Sequence, residues 1–149
     1  MGYIEEFDKL KTKVLKYILF KKRTEQEVRQ KFKSDSGELL DDVIEELKEL
    51  DYINDQKYIE KSIKEYMNLK NLSIKEIEYK LISKGIKRNI IDDYIFSNKE
   101  TLLEYEIKSA INIINKKITN TEENEIINYL RKKGYMEESL KIAIEKKEE

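Results

Sequence analysis

Carboxylates are the only abundant side chains in this chain that could carry out catalysis. Neither cysteine nor histidine occurs among its 149 residues, so thiol nucleophiles, disulfides, thiolate zinc sites and imidazole chemistry are excluded. The densest acidic group falls between residues 41 and 49 and comprises Asp41, Asp42, Glu45, Glu46 and Glu49. Helical bundles that bind two metals combine such glutamates with histidines, which this chain lacks. We therefore interpret the group as a solvated acidic stripe and expect no catalytic residue, no metal and no cofactor.

Phosphate-binding loops and sequence-specific DNA readers also lack support in the sequence. The four glycines are far apart, whereas phosphate-binding loops cluster them. The stretch from 73 to 94 superficially resembles a helix-turn-helix. However, residues 87–96, which would read the bases, are mostly apolar and acidic. We expect neither nucleotide binding nor sequence-specific reading of DNA.

Charge divides sharply along the first half of the chain, although the net charge is only −1. Residues 9–33 contain ten basic and two acidic residues, a local charge of +8. Residues 34–65 contain eleven acidic and four basic residues, a local charge of −7. Two interpretations stay open at this point. In the first, the charges offset one another on a solvated surface; in the second, they form a surface for a partner of defined charge.

Helices must position these groups, because the chain has no proline and is rich in lysine, glutamate, leucine and isoleucine. Residues 24–27, 73–76 and 97–100 each have the Ser/Thr-x-x-Glu spacing of a capping box, which predicts a helix start. Gly85 and Gly134 predict helix ends, because glycine adopts the left-handed conformation that closes a helix.

The predicted helices recur with a period of 49 residues. Ile77 and Leu81 have counterparts at Ile126 and Leu130, and the Lys-Gly pair at 84–85 has one at 133–134. We predict an all-α fold of three tandem three-helix repeats, spanning residues 1–53, 54–97 and 98–149, with a frayed C-terminus from residue 145. Stacked end to end, such repeats form an elongated, curved helical array. A compact nine-helix globule is the competing architecture.

Aromatic and apolar spacing predicts which residues are buried. The long helix of the third repeat is expected to bury one apolar side, formed by Leu103, Ile107, Ala110, Ile111, Ile114 and Ile118. Four tyrosines fall on apolar helix sides and are expected at the core or its edge, namely Tyr17, Tyr58, Tyr66 and Tyr94. Tyr3, Tyr105 and Tyr129 are expected to be freer, and free tyrosines beside lysines can stack on the bases of single-stranded nucleic acid.

A specific resemblance emerges in the middle of the chain. An L-x-x-L-x-Y-I-x-D-x-x-Y segment precedes a long helix, and an I-x-x-x-L-x-x-K-G-I segment follows it. The matching residues are Leu47, Leu50, Tyr52, Ile53, Asp55 and Tyr58, then Ile77, Leu81, Lys84, Gly85 and Ile86. This pattern resembles the RecX family of bacterial regulators of the RecA recombinase, and it extends over roughly residues 8–146. Ile59 departs from it, standing where the family usually has a small residue.

The resemblance implies a non-enzymatic regulator that binds the RecA–DNA filament and lies along its helical groove. Such a protein inhibits the recombinase, ATPase and co-protease activities of RecA, and thereby controls recombination and the SOS response. Single- or double-stranded DNA is a second candidate partner. With no signal peptide and no long apolar run, we expect a cytoplasmic protein that does not bind membranes, and we expect it to be a monomer.

The resemblance and the charge pattern together define the candidate site residues. We hypothesise that seven basic residues contact the filament or DNA phosphates: Lys9, Lys13, Lys16, Lys21, Lys22, Arg23 and Arg29. The acidic residues from 41 to 51 would then meet a basic protein surface. The motif residues expected to have structural roles are Asp55, Tyr58, Ile77, Leu81, Lys84 and Gly85. Two other functions remain open, a DNA-binding module that acts without RecA and a general helical adaptor.

Overall fold

The structure, a computed structural model, describes residues 2–146. Within that range the chain forms nine α-helices and one short 3-10 helix, and it contains no strand. The predicted all-α class is confirmed. The α-helices are α1 (Tyr3–Phe20), α2 (Glu25–Lys31), α3 (Glu38–Glu49), α4 (Asp55–Leu69), α5 (Ile74–Ser83), α6 (Arg88–Ser97), α7 (Lys99–Lys117), α8 (Glu123–Lys133) and α9 (Glu137–Lys146). The 3-10 helix, Lys33–Asp35, lies between α2 and α3. No helix in the described range combines the length and the apolar composition needed to cross a membrane.

One compact unit contains residues 2–60 together with Ser83–Ile86. The apolar sides of α1, α2 and α3 form its core. Helix α1 buries Leu10, Val14 and Ile18, because a spacing of four places them on one side of the helix. The full set of buried core residues is Leu10, Val14, Ile18, Val28, Leu40, Val43, Ile44, Leu47 and Ile53.

The second compact unit contains Lys61–Ile82 and residues 87–146. Its largest cluster of buried apolar residues is drawn mainly from α7, α8 and α9, and comprises Ala110, Ile113, Ile114, Ile126, Ile127, Leu130, Tyr135, Leu140 and Ala143. The predicted repeat boundaries, after residues 53 and 97, fall between α3 and α4 and between α6 and α7. The three-repeat division and the elongated, curved array stay predictions.

The predicted buried side of α7 is shifted relative to the structure. Leu103, Ile107 and Ile111 are only partly buried and Ile118 is exposed, whereas the buried residues are Leu102, Tyr105, Glu106, Ser109, Ala110, Ile113 and Ile114. Tyr105 was expected to be freer, and that prediction is wrong. Its hydroxyl donates to the Leu72 carbonyl at 2.7 Å and accepts from the Leu72 amide at 3.3 Å. Polar residues of α7 are buried because they pair with backbone groups of the α4–α5 loop, of the first residue of α5 and of the residue before α9.

Two of the three predicted capping boxes are confirmed. At the start of α2 the Glu27 amide donates to Thr24 Oγ1 and the Thr24 amide donates to Glu27 Oε1, both at 3.0 Å. At the start of α5 the Glu76 amide donates to Ser73 Oγ at 3.0 Å and the Ser73 amide donates to Glu76 Oε1 at 2.9 Å. Each box satisfies backbone donors that the first helical turn leaves unpaired.

The third predicted capping box, at residues 97–100, is wrong. Ser97 is the last residue of α6, and the residue before α7 is Asn98, whose side chain does not cap the helix. Instead, the Asn98 Nδ2 group donates to the Tyr94 carbonyl at 2.8 Å. Helix α6 therefore runs almost directly into α7. The extended backbone that a capping serine requires does not form there.

Glycines close two helices as predicted. Gly85 follows α5 with φ of +86°, and Gly134 closes α8 with φ of +98°, values that residues with a Cβ rarely adopt. The C-terminal end was expected to fray from residue 145, but Glu145 and Lys146 belong to α9. The rest of that predicted frayed end lies outside the described residues.

Candidate partner-binding surface

Three of the four lysines of α1 share one side of the helix. Lys9, Lys13 and Lys16 are exposed, and at about 100° per residue they fall within about 60° of one another around the axis. The apolar residues of α1 occupy a different side and pack into the core of the first unit. The three lysines form what we call the basic face.

The end of α1 continues this surface with exposed apolar residues. Leu19 is 70% exposed and Phe20 is 85% exposed, and the exposed Lys21 and Lys22 follow directly. We call these four residues the basic tip. Helical spacing places Phe20 on the same side as Lys9, Lys13 and Lys16. Phe20 is not among the predicted site residues, although an apolar residue one turn after Lys16, on the charged side of an amphipathic helix, was the available signal.

The two arginines of the predicted site are engaged within the first unit. The Arg23 guanidinium lies over the Tyr17 ring, with Cζ 4.1 Å from the ring centroid. Arg29 pairs with Asp41 at 2.7 Å and with Glu25 at 3.0 Å. The hydrogen bonds that Arg29 donates to Asp41 and Glu25 raise the pKa of Arg29. The structure therefore brings the five predicted lysines to the outer side and the end of α1, and it directs Arg29 toward acidic residues.

The acidic stretch is partly neutralised within the same unit. Glu46 pairs with Lys11 at 3.0 Å, and Lys48 pairs with Glu25 at 2.9 Å and with Glu45 at 3.5 Å. Asp51 accepts from Asn54 Nδ2 at 2.7 Å and also pairs with Lys57. Both hydrogen bonds lower the pKa of Asp51, and the one from Asn54 has the larger effect. Among residues 2–146 no three acidic side chains converge in an arrangement that could hold a metal ion.

The Lys-Gly motif at residues 84–85 contacts the start of α2. Thr24 Oγ1 donates to the Lys84 carbonyl at 2.7 Å, in addition to its role in the capping box. A Cβ on Gly85 would lie 2.3 Å from the Gln26 Cβ, so a side chain there collides with α2 as well as straining the backbone. Asp55, another motif residue, accepts from the Glu25 amide at 3.0 Å. The motif residues thus hold the N-terminus of α2.

The same contacts recur 49 residues later in the second unit. Ser73 Oγ donates to the Lys133 carbonyl at 2.8 Å. A Cβ on Gly134 would lie 2.9 Å from the Lys75 Cβ. In the first unit Asp55 accepts from the amide of the residue that follows the cap. In the second unit Glu106 has this role and accepts from the Ile74 amide at 2.8 Å. Hydroxyl, carbonyl and glycine therefore occupy equivalent positions at 24 and 73, 84 and 133, and 85 and 134.

The remaining motif residues are accounted for by packing. Ile77 and Leu81 are buried on one side of α5. Tyr58 is half-buried in α4, where it lines a cavity of about 40 Å³ with Lys22, Arg23 and Asp51. This cavity is too small for an organic ligand, since such sites usually enclose about 300–1,000 Å³.

Comparison with known proteins gives a consistent result. A regulatory protein RecX of Finegoldia magna is 36% identical over 132 residues, covering 81% of this chain and 63% of that protein. A regulatory protein RecX of Clostridium beijerinckii is 32% identical over 150 residues, covering 95% of this chain and 70% of that protein. The chain belongs to the RecX family. No protein-family model matches it.

A solved structure supports the same assignment. The crystal structure of RecX from Lactobacillus salivarius has a TM-score of 0.81 and 25% sequence identity, and the match covers 97% of this chain and 98% of that one. The chain spans about half to two thirds of the length of the first curated RecX relatives it matches. Those relatives are named as regulatory proteins.

Proposed function

We propose that this protein binds the filament that RecA forms on DNA and inhibits its recombinase, ATPase and co-protease activities, without catalysing a reaction itself. Membership of the RecX family carries this proposal. The proposal includes action in the cytoplasm, as a modulator of recombination and of the SOS response. The exposed lysines of α1 support it, because a filament on DNA presents a repeating array of phosphates.

The basic face and the basic tip are the proposed contact surface. Each phosphate that a lysine neutralises releases a counterion, so binding weakens as salt rises. The logarithm of the binding constant falls against the logarithm of the salt concentration with a slope of about −0.7 per phosphate contact on single-stranded DNA and about −0.9 on duplex DNA. Lys21 and Lys22 are the strongest candidates, because both are exposed and follow an exposed aromatic ring. The acidic residues from 41 to 51 would then meet a basic protein surface of the filament through exposed members such as Glu45 and Glu49.

Charge reversal tests the surface. The variant Lys16→Glu/Lys21→Glu/Lys22→Glu should bind RecA filaments more slowly than the wild type, and its binding should depend less steeply on salt. Lys108→Glu/Lys116→Glu/Lys141→Glu is the matched control, since it changes the net charge equally at exposed positions of the second unit. Equal binding by both variants would remove the site assignment and leave the family assignment intact.

A second candidate function is binding of single-stranded nucleic acid without RecA. The observation that favours it is Phe20, whose exposed ring lies among lysines and could stack on an unpaired base. This function predicts retention of bare single-stranded DNA at moderate salt, and loss of retention in Phe20→Ala. A protein that binds RecA filaments and does not retain bare DNA follows the first proposal.

A further inference from the structure

An apolar groove lies on the second unit. It has a volume of about 370 Å³. Its apolar lining comes from Ile74 of α5, Ile95 and Phe96 of α6, Leu102 and Leu103 of α7, and Met136 just before α9. Phe96 is 80% exposed and Met136 is 42% exposed. This space is large enough for two bulky apolar side chains.

Acidic residues surround the groove. Glu78, Asp92 and Glu138 line it, together with one base, Lys99. Asp92 also forms an ion pair with Arg88, at 3.5 Å. The charge around the apolar lining is therefore negative. Such a surface selects a segment that carries bulky apolar side chains next to positive charges.

The same chain carries such a segment. The basic tip presents Leu19 and Phe20, at 70% and 85% exposure, immediately before Lys21 and Lys22. We propose that the basic tip of one copy docks into the acidic groove of a second copy. Leu19 and Phe20 would occupy the apolar lining, and Lys21 and Lys22 would face Glu78, Asp92 and Glu138.

The two sides of this contact are different surfaces, because one copy supplies the tip and the other supplies the groove. Contacts of this kind extend into chains of copies unless a rotation closes them into a ring. Two side chains bury little surface, so the association is weak. The monomer expected from the sequence is therefore the form present at low protein concentration. Salt should weaken the association further, since exposed opposite charges contribute to it. The proposal does not rest on RecA or DNA binding.

Sedimentation of complementary variants tests the contact. The wild type should exceed its monomer mass of 17.9 kDa between micromolar and millimolar concentration at low salt. Phe20→Ser removes the tip and Phe96→Ser/Met136→Ser removes the groove, so each variant alone should stay a monomer. Their equimolar mixture should form a species of twice 17.9 kDa and stop there, because only one intact tip and one intact groove remain per pair. Ile4→Ser is the matched control, since Ile4 is 75% exposed at the other end of α1, and it should associate like the wild type.

A charge-swapped pair gives an independent result without removing apolar residues. Lys21→Glu/Lys22→Glu alone and Asp92→Lys/Glu138→Lys alone should each lose association, because like charges then meet. The mixture should associate like the wild type. A wild type that stays monomeric at every concentration would overturn the proposal. Undiminished association of Phe20→Ser, or mixtures that remain monomeric in both pairs, would overturn it equally.

Discussion

Glu106 gives the sharpest test of how the second unit is held together. Its side chain is completely buried in α7. Its two carboxylate oxygens accept from the Ile74 amide and from the Met136 amide, each at 2.8 Å. Ile74 begins α5 and Met136 immediately precedes α9, and amides at these positions have no partner within their own helix. A negative charge at two helix N-termini is also favoured by the helix dipoles.

The expected cost of removing this carboxylate follows from those two hydrogen bonds. Glu106→Ala leaves two buried amide donors without an acceptor, and each costs about 1–3 kcal/mol. We therefore expect the free energy of unfolding to fall by about 2–6 kcal/mol. Glu106→Gln keeps the side-chain volume and one acceptor oxygen, so it should lose roughly half as much.

Urea unfolding followed by circular dichroism measures these losses, provided that the slope with denaturant is unchanged. Glu104→Ala is the matched control, because Glu104 is exposed on the same helix and its loss removes the same charge. We expect that control to stay within about 0.5 kcal/mol of the wild type. If Glu106→Ala destabilised the protein no more than Glu104→Ala, the buried carboxylate would not be holding the two helix starts.

Three further predictions concern the first unit and the repeated contact. Gly85→Ala should lower the free energy of unfolding by more than about 1 kcal/mol, because it combines left-handed backbone strain with a collision with Gln26. Gly2→Ala is the control, since a Cβ there enters open space, and it should not lower the free energy of unfolding. Equal urea midpoints for the two variants would contradict this prediction. Ser73→Ala should lower the free energy of unfolding by about 1–2 kcal/mol, because it removes a helix cap together with the hydrogen bond to the Lys133 carbonyl. Ser36→Ala is the control, since Ser36 is exposed. A loss for Ser73→Ala smaller than that of the control would be inconsistent with the repeated contact. The hydrogen bond to Asp42 raises the pKa of Tyr3 to about 12. Phenolate absorbance of the wild type should therefore contain a component that titrates near pH 12, and in Asp42→Asn this component should move toward pH 10. The contribution of this bond to stability is complete below pH 10 and is lost as pH rises through 12. An unchanged titration in that variant would refute the assignment.

Local signals in the sequence predicted much of the fold. Helix classes, the caps at Thr24 and Ser73, and the closing glycines follow from short-range chemistry, because a capping residue and its partners lie within one helical turn. The hydroxyl of Ser73 also reaches the Lys133 carbonyl, and nothing at the level of spacing indicates that partner 60 residues away. The offset of 49 predicted that such positions are equivalent without showing what they contact.

Burial of polar residues in α7 could not be predicted. Apolar spacing selected Leu103 and Ile107, whereas the structure buries Tyr105, Glu106 and Ser109. These side chains gain partners from the loop before α5 and from the start of α9. A pattern based on hydrophobicity counts such residues as exposed, because it carries no information about backbone groups that need acceptors.

ATP hydrolysis by RecA on single-stranded DNA tests the central functional claim most directly. Purified protein added at less than one copy per RecA should inhibit hydrolysis strongly, and Lys16→Glu/Lys21→Glu/Lys22→Glu should inhibit less than the control that reverses Lys108, Lys116 and Lys141. Hydrolysis that continues at the full rate with excess wild-type protein would contradict the proposed regulation of RecA.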